Sequence, residues 1–203
     1  MVIKNIVFDI GNVLLRWEPL YILTKNFPDI IDPVPLACQI FESDIWRDLN
    51  LGKITEEEAI ALYSSNLEEI TVQQLTDLMK TVKNSLTPVT GSLELLKNIH
   101  NSSISLYSIT DNVQEIMSFL RNKYDFLKVF RDIIVSSEVG VLKPSKTIYL
   151  HLINKHQLIP DETVFIDDLS KNVEGAKLVG MHGIHFSTAH DCKIKLRQLG
   201  VNI

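Results

Sequence analysis

Twice in this chain an apolar, β-branched or aromatic run ends on an acid. Ile6-Val7-Phe8 leads into Asp9, and Phe165-Ile166 leads into Asp167-Asp168. Runs of that composition are strand material, so all three carboxylates fall at the C-terminal tips of buried strands. Open α/β sheets bind ligands in the crevice beyond such tips. Asp9-Ile10-Gly11-Asn12 also suits a tight turn, because Asp, Gly and Asn all accept turn geometry. The adjacent acids Asp167-Asp168 repel each other unless a cation or solvent lies between them. Together with Asp9 they supply hard oxygen ligands of the kind Mg²⁺ prefers.

Two further segments add to this inventory. Ser108-Ile109-Thr110-Asp111-Asn112 places a hydroxyl at a strand tip leading into a helix, where hydroxyl and backbone N–H groups suit an anion. Asp111 or Asn112 also reads as an ordinary helix N-cap. In Gly140-Val141-Leu142-Lys143-Pro144 a single cation sits in an apolar stretch, and the following proline biases it towards extended backbone. A nucleophilic carboxylate, an anion cradle, a fixed cation and a divalent-metal site are the parts needed for phosphoryl transfer.

The elements that must position these groups alternate regularly after Pro88. Helices over Ser92–His100, Val113–Asn122, Lys146–His156 and Asn172–Leu178 precede strands at 104–108, 133–135, 163–166 and 183–186 respectively. With a first strand at Ile3–Phe8 and a closing helix, this alternation predicts βαβ units and a mainly parallel sheet. From Trp17 to Pro88 the pattern is helical. Thr55-Glu56-Glu57-Glu58 and Thr71-Val72-Gln73-Gln74 are capping boxes ahead of apolar helical runs. The expected organisation is a Rossmann-like α/β core over residues 1–16 and 89–203, with an all-helical cap over 17–88.

Composition narrows the function. The 203 residues suffice for one sizeable core, and 45% hydrophobic with 22% charged residues is ordinary for a soluble globular protein. A net charge of −5, without a basic run, argues against a nucleic-acid partner. No stretch approaches the ~20 apolar residues of a membrane span. No signal-type segment opens the chain, so a cytoplasmic location is expected. Cys38 and Cys192 are isolated, which suggests neither a disulfide framework nor a zinc site.

In order along the chain, Phe8-Asp9-Ile10-Gly11-Asn12-Val13, Tyr107-Ser108-Ile109-Thr110, Leu142-Lys143-Pro144 and Phe165-Ile166-Asp167-Asp168 resemble the four motifs of the haloacid dehalogenase-like hydrolases. The likeness is to their phosphatases with a small helical cap inserted after the first strand. Asn172-Val173-Glu174-Gly175-Ala176 and Gly180-Met181 are similar to the family as well. Within it, the chain looks most like the bacterial sugar-phosphate phosphatases that include α-D-glucose-1-phosphate phosphatase. The resemblance implies that Asp9 attacks phosphorus and becomes an aspartyl-phosphate. It implies that Asp9, Asp168 and the backbone carbonyl of Gly11 hold Mg²⁺, with Asp167 beside or within that set. Ser108 and the N–H of Ile109 would bind phosphate oxygens, and Lys143 would restrain Asp9 and offset charge on the transferring group. His182 and His185 fall around the last strand and, with His190, read as surface or core residues rather than ligands.

Two departures from that pattern bear on activity. Gly11 stands where the family commonly has a second Asp that protonates the leaving group, help typically worth ~10²–10⁴-fold. Ile109 stands where an Asn is usual. The expected substrate is a small phosphorylated metabolite, a sugar phosphate by preference, whose leaving group needs little protonation. A non-catalytic phosphate-binding protein on the same scaffold is one alternative. A 2-haloacid dehalogenase is another, since a departing halide needs no proton, but Asp167-Asp168 make an awkward pair without a metal. A phosphomutase fits less well, because proton shuttling by the missing Asp is central to it. In the cap, Trp17, Trp46 and Arg47 could face the cleft and read the substrate, although aromatic residues in a small bundle also serve as its core.

Overall fold

A computed structural model describes residues 2–203. Five strands form one parallel sheet in the order β3-β2-β1-β4-β5: β1 is Asn5–Phe8, β2 Ser105–Thr110, β3 Asp132–Val135, β4 Thr163–Asp167 and β5 His182–His185. The order reverses between β1 and β4. Connections from β1 run towards β3, and the chain then crosses to β4, so the segments leaving these two paired strands diverge and leave a crevice beyond their C-terminal ends.

The central strands β1 and β4 are buried on both faces, and alternate residues across the sheet sort accordingly. Ile6, Phe8, Leu106, Val164 and Ile166 face one apolar cluster, completed by α6 (Ser92–His100), α7 (Gln114–Lys123) and α11 (Ala189–Gln198). Val7, Tyr107, Ile109, Ile134 and Phe165 face a second, completed by α9 (Lys146–His156) and α10 (Ser170–Lys177). A short α8 (Ser136–Val139) follows β3 directly.

Between β1 and α6 the chain forms five helices: α1 (Pro19–Asn26), α2 (Val34–Phe41), α3 (Asp44–Asn50), α4 (Glu56–Asn66) and α5 (Val72–Ser85). Both expected capping boxes are present, Thr55 with Glu58 opening α4 and Thr71 with Gln74 opening α5. The segment leaves and re-enters side by side, because Arg16 N donates to Thr87 O and Val89 N to Leu14 O. Its buried residues Ile22, Leu23, Ile40, Leu75 and Leu78 join the first apolar cluster of the sheet. The inserted helices therefore share a continuous core with the sheet.

A second contact fixes α3 against the sheet edge. Ser136 Oγ donates to Asn50 O at 2.6 Å and accepts from Asn112 N at 2.9 Å, so one hydroxyl ties α3, α8 and the tip of β2 together. Gly52 follows at φ +67°, and a Cβ there would run into the Ser137 carbonyl. Glu56 N donates to Glu115 Oε1 at 3.0 Å, joining α4 to α7. No helix among the described residues is long and apolar enough to cross a membrane.

Candidate active site

Asp9 is the first residue past β1, and its N–H donates to Ile166 O on β4. That bond places it level with Asp167, the last residue of β4. Its side chain is buried, with Oδ1 accepting from Ile10 N at 2.7 Å and lying 2.9 Å from Lys143 Nζ. Oδ2 is left without a protein hydrogen bond among the described residues. Lys143 Nζ also donates to Asp167 Oδ2 at 2.7 Å. This ammonium is buried between two carboxylates; removing either partner of such a pair typically costs ~3–5 kcal/mol, because a buried charge is left unbalanced.

Asp167 is held most firmly. Its Oδ1 accepts from Leu169 N at 2.8 Å and Asn172 Nδ2 at 3.0 Å. Asn172 is in turn fixed by its own backbone, whose carbonyl accepts from Tyr149 OH at 2.8 Å. Helix α10 can come this close only because residue 175 is glycine, since a Cβ there would lie 2.8 Å from Pro144 O. The proline that follows Lys143 is thus packed against the helix that orients Asp167.

Asp168 is partly open and accepts from Asn12 Nδ2 at 3.3 Å, while Asn12 Oδ1 accepts from Trp17 N at 2.9 Å. Asn12 sits in the left-handed region at φ 52°, which asparagine tolerates better than most residues. Carboxylate oxygens of Asp9, Asp167 and Asp168 lie within 4.8 Å of one another, and no other such group occurs among the described residues. An all-oxygen trio with one partly open member fits a hard divalent cation such as Mg²⁺.

Charge in this cluster is unbalanced towards the negative. Burial, opposed by Lys143, pushes the Asp9 carboxyl up to about 8. Burial likewise raises Asp168, helped by the neighbouring Asp167. For Lys143 burial acts downward, but Asp9, Asp167 and Asp111 outweigh it and hold the ammonium above its usual range. Lys143 is charged, and the excess acid around it is the excess a divalent cation would neutralise.

Ser108 and Ile109 are not where the sequence suggested. Strand β2 runs two residues further than expected, with Phe8 pairing with Ser108. Ser108 is therefore level with Phe8, one residue short of Asp9; its Oγ is fully buried without a hydrogen-bond partner, and Ile109 packs in the second apolar cluster. The residues at the tip are Thr110, Asp111 and Asn112. Asp111 and Asn112 line the cleft. Asp111 Oδ1 accepts from Lys143 N at 3.0 Å, and burial raises its carboxyl despite Lys143. The signal for the longer strand was Ile109 itself, an apolar β-branched residue after the serine. Asp111 thus occupies the level at which the sequence reading had an isoleucine in place of asparagine.

A cleft of about 440 Å³ opens beyond the carboxylates. Asp9, Gly11, Asn12, Lys143 and Asp168 line its floor. Trp17, Trp46 and Arg47, the residues singled out in the helical segment, line its wall together with Phe41. Trp17 and Trp46 are stacked with ring centroids 5.6 Å apart. Sequence reasoning missed Phe41, whose type alone does not separate a wall residue from a core one. It also left Asn12 and Asn172 without roles as supports of the carboxylates. His185 Nε2 lies 2.8 Å from Asp168 O and His182 Nε2 lies 3.0 Å from Asp161 O, each engaged with backbone.

A parallel α/β sheet with acids and a buried lysine on its central tips, covered by an inserted helical segment, defines an enzyme of anion and metal chemistry. Residues 30–186 match the family described as haloacid dehalogenase-like hydrolase, and the chain belongs to that family. Sesquiterpene phosphatase astK from Aspergillus oryzae is 25% identical over 196 residues, covering 97% of this chain and 96% of that protein. D-ribitol-5-phosphate phosphatase from Bacteroides thetaiotaomicron is 25% identical over 191 residues, covering 88% and 89%. A structure of a family enzyme from the same bacterium, in complex with magnesium and inorganic phosphate, superposes with a TM-score of 0.75 at 20% identity. That alignment covers 92% of this chain and 95% of the other, a likeness of fold.

Proposed function

We propose that this protein is a Mg²⁺-dependent phosphatase of small phosphorylated metabolites, working through an aspartyl-phosphate on Asp9. The observation that carries the reading is the pairing of Asp9 and Asp167 on Lys143, with Asp168 within 4.8 Å of both carboxylates, at the switch point of the sheet. Relatives with full-length matches are named as phosphatases, and a structural neighbour was solved with magnesium and phosphate. The inserted helices over 17–88 act as the cap, and residues 1–16 with 89–203 as the core.

Asp9, Asp168 and the carbonyl of Gly11 would hold Mg²⁺, with Asp167 close by. When bound, the ion would neutralise charge on the phosphoryl oxygens and lower the Asp9 carboxyl. Lys143 and the Ile10 N–H restrain one oxygen of Asp9, which leaves the other free to attack phosphorus. The bond to the leaving oxygen breaks as the Asp9–phosphorus bond forms, and that oxygen takes its proton from water, since Gly11 offers none. Water then attacks phosphorus, releasing phosphate and restoring the Asp9 carboxylate. Lys143 offsets the charge throughout, and the role foreseen for Ser108 and Ile109 passes to the tip residues Thr110–Asn112 and their backbone.

The three-carboxylate cluster speaks against a dehalogenase, which has no use for a cation there. Turnover of p-nitrophenyl phosphate, whose leaving group needs no acid, tests the reading against a merely phosphate-binding protein. Release should require Mg²⁺, stop with chelator and vanish in Asp9→Asn. No release with Mg²⁺ present would favour the binding protein.

A further inference from the structure

Most of the cleft has no part in handling a phosphoryl group. Above the carboxylates the wall is aromatic: Phe41 meets Trp17 edge-on at 5.2 Å and Trp46 edge-on at 5.0 Å, completing the stacked tryptophan pair. Leu86 and Ile116 add a little aliphatic surface to the same space, with Leu15 and Leu120 buried behind it. Such a wall rewards apolar contact at about two- to fourfold in affinity per buried methylene.

Several of the polar atoms that share this lining are already engaged within the protein. Ser43 Oγ donates to Ile40 O at 2.7 Å and accepts from Trp46 N at 3.1 Å. Asn50 Nδ2 donates to Trp46 O at 2.8 Å, and Asn112 Oδ1 accepts from Val113 N at 2.9 Å. Glu42 and Arg47, the charged members of the wall, are both exposed. A sugar placed here would surrender water at several hydroxyls and find few partners, a cost that works against its binding.

We propose that the organic part of the substrate is apolar: a phosphate monoester of a hydrocarbon-like alcohol whose chain lies against Trp17, Phe41 and Trp46 while its phosphate meets Asp9. The proposal rests on the phosphatase reading for the phosphate end, but the wall makes its own demand on the ligand. It departs from the sugar phosphate expected from the sequence, because the three aromatic rings give the wall more apolar surface than hydrogen-bonding groups for sugar hydroxyls.

Tryptophan emission reports on the wall directly, since the chain's two tryptophans are both in it. The Asp9→Asn protein with Mg²⁺ is titrated with n-butyl to n-decyl phosphate, with inorganic phosphate and with glucose 6-phosphate. Affinity should rise about two- to fourfold per methylene until the cleft is full, and glucose 6-phosphate should bind no tighter than inorganic phosphate. Trp46→Ala should flatten the slope while leaving the affinity for inorganic phosphate within about twofold, and Trp46→Phe should restore part of the slope. A flat series, or glucose 6-phosphate binding tighter than the alkyl phosphates, would overturn the proposal even if p-nitrophenyl phosphate is hydrolysed. A steep series in a protein whose unsubstituted form hydrolyses no ester would instead sink the phosphatase reading and leave the apolar cleft standing.

Discussion

Position 11 is the residue at which this chain parts most clearly from the pattern it resembles, and the space around it makes the departure testable. A Cβ on Gly11 would meet nothing within 4 Å, and its backbone is not among the left-handed positions. Gly11→Asp should therefore fold, and it should place an acid two residues from Asp9. It should raise kcat on an alkyl phosphate about tenfold or more while changing p-nitrophenyl phosphate hydrolysis by less than about twofold, because only the first leaving group needs a proton. Equal, small effects on both would mean that another group already protonates the leaving oxygen. Asp9, Lys143, Asp167 and Asp168 were legible in the sequence because charge on an apolar strand end is costly and rarely incidental. Ser108 misled for the opposite reason. A small hydroxyl inside a strand costs little, so its type did not reveal whether the strand had ended.

Among the elements, the helices announced themselves better than the way they dock. The capping boxes at Thr55 and Thr71 are local chemistry and were readable as such, as were α6 and α9, whose observed bounds are those expected. The contact of α3 with α8 depends on residues far apart in the chain, and no local pattern marks it. It hinges on Gly52, whose positive φ and closeness to the Ser137 carbonyl both exclude a side chain. Gly52→Ala should cost about 1–3 kcal/mol, which for a chain of this size lowers Tm by roughly 2–12 °C. A thermal melt within a degree of the parent would show that the α3–α8 contact is looser than the structure has it. Since Ser136 links the same helix to the tip of β2, the variant should also weaken substrate binding, which steady-state KM would register.

Across the whole molecule the site holds more acid than base, and that imbalance links folding to pH and to metal. With its carboxyl raised from 3.8 to about 8 in the folded protein, Asp9 binds its proton more tightly when folded. Its contribution to stability is full below about pH 4 and is lost as pH rises through about 8. In chelator, the parent's Tm should fall from pH 5 to pH 8, and Asp9→Asn should fall less, with a gap of a few degrees at pH 8. Added Mg²⁺ should close that gap by stabilising the parent more than the variant; a constant gap across this range would mean that Asp9 is ionised throughout. The parallel sheet and the helical insertion were foreseeable from alternating patterns, whereas the strand order and its switch point were not. Of the aromatic wall, Trp17 and Trp46 stood out in the sequence as candidates, but Phe41 and the packing of the three rings did not, because the rings come from α2, α3 and the loop after β1 and meet only in the folded chain. The central claim, a phosphoryl group carried on Asp9, can be read directly. The protein is mixed with substrate and Mg²⁺, quenched in acid during turnover, reduced with borohydride, and its peptides are analysed by mass spectrometry. The account predicts homoserine at position 9, formed only when substrate and Mg²⁺ are both present. Steady turnover with position 9 still aspartate and homoserine found at another residue would contradict it.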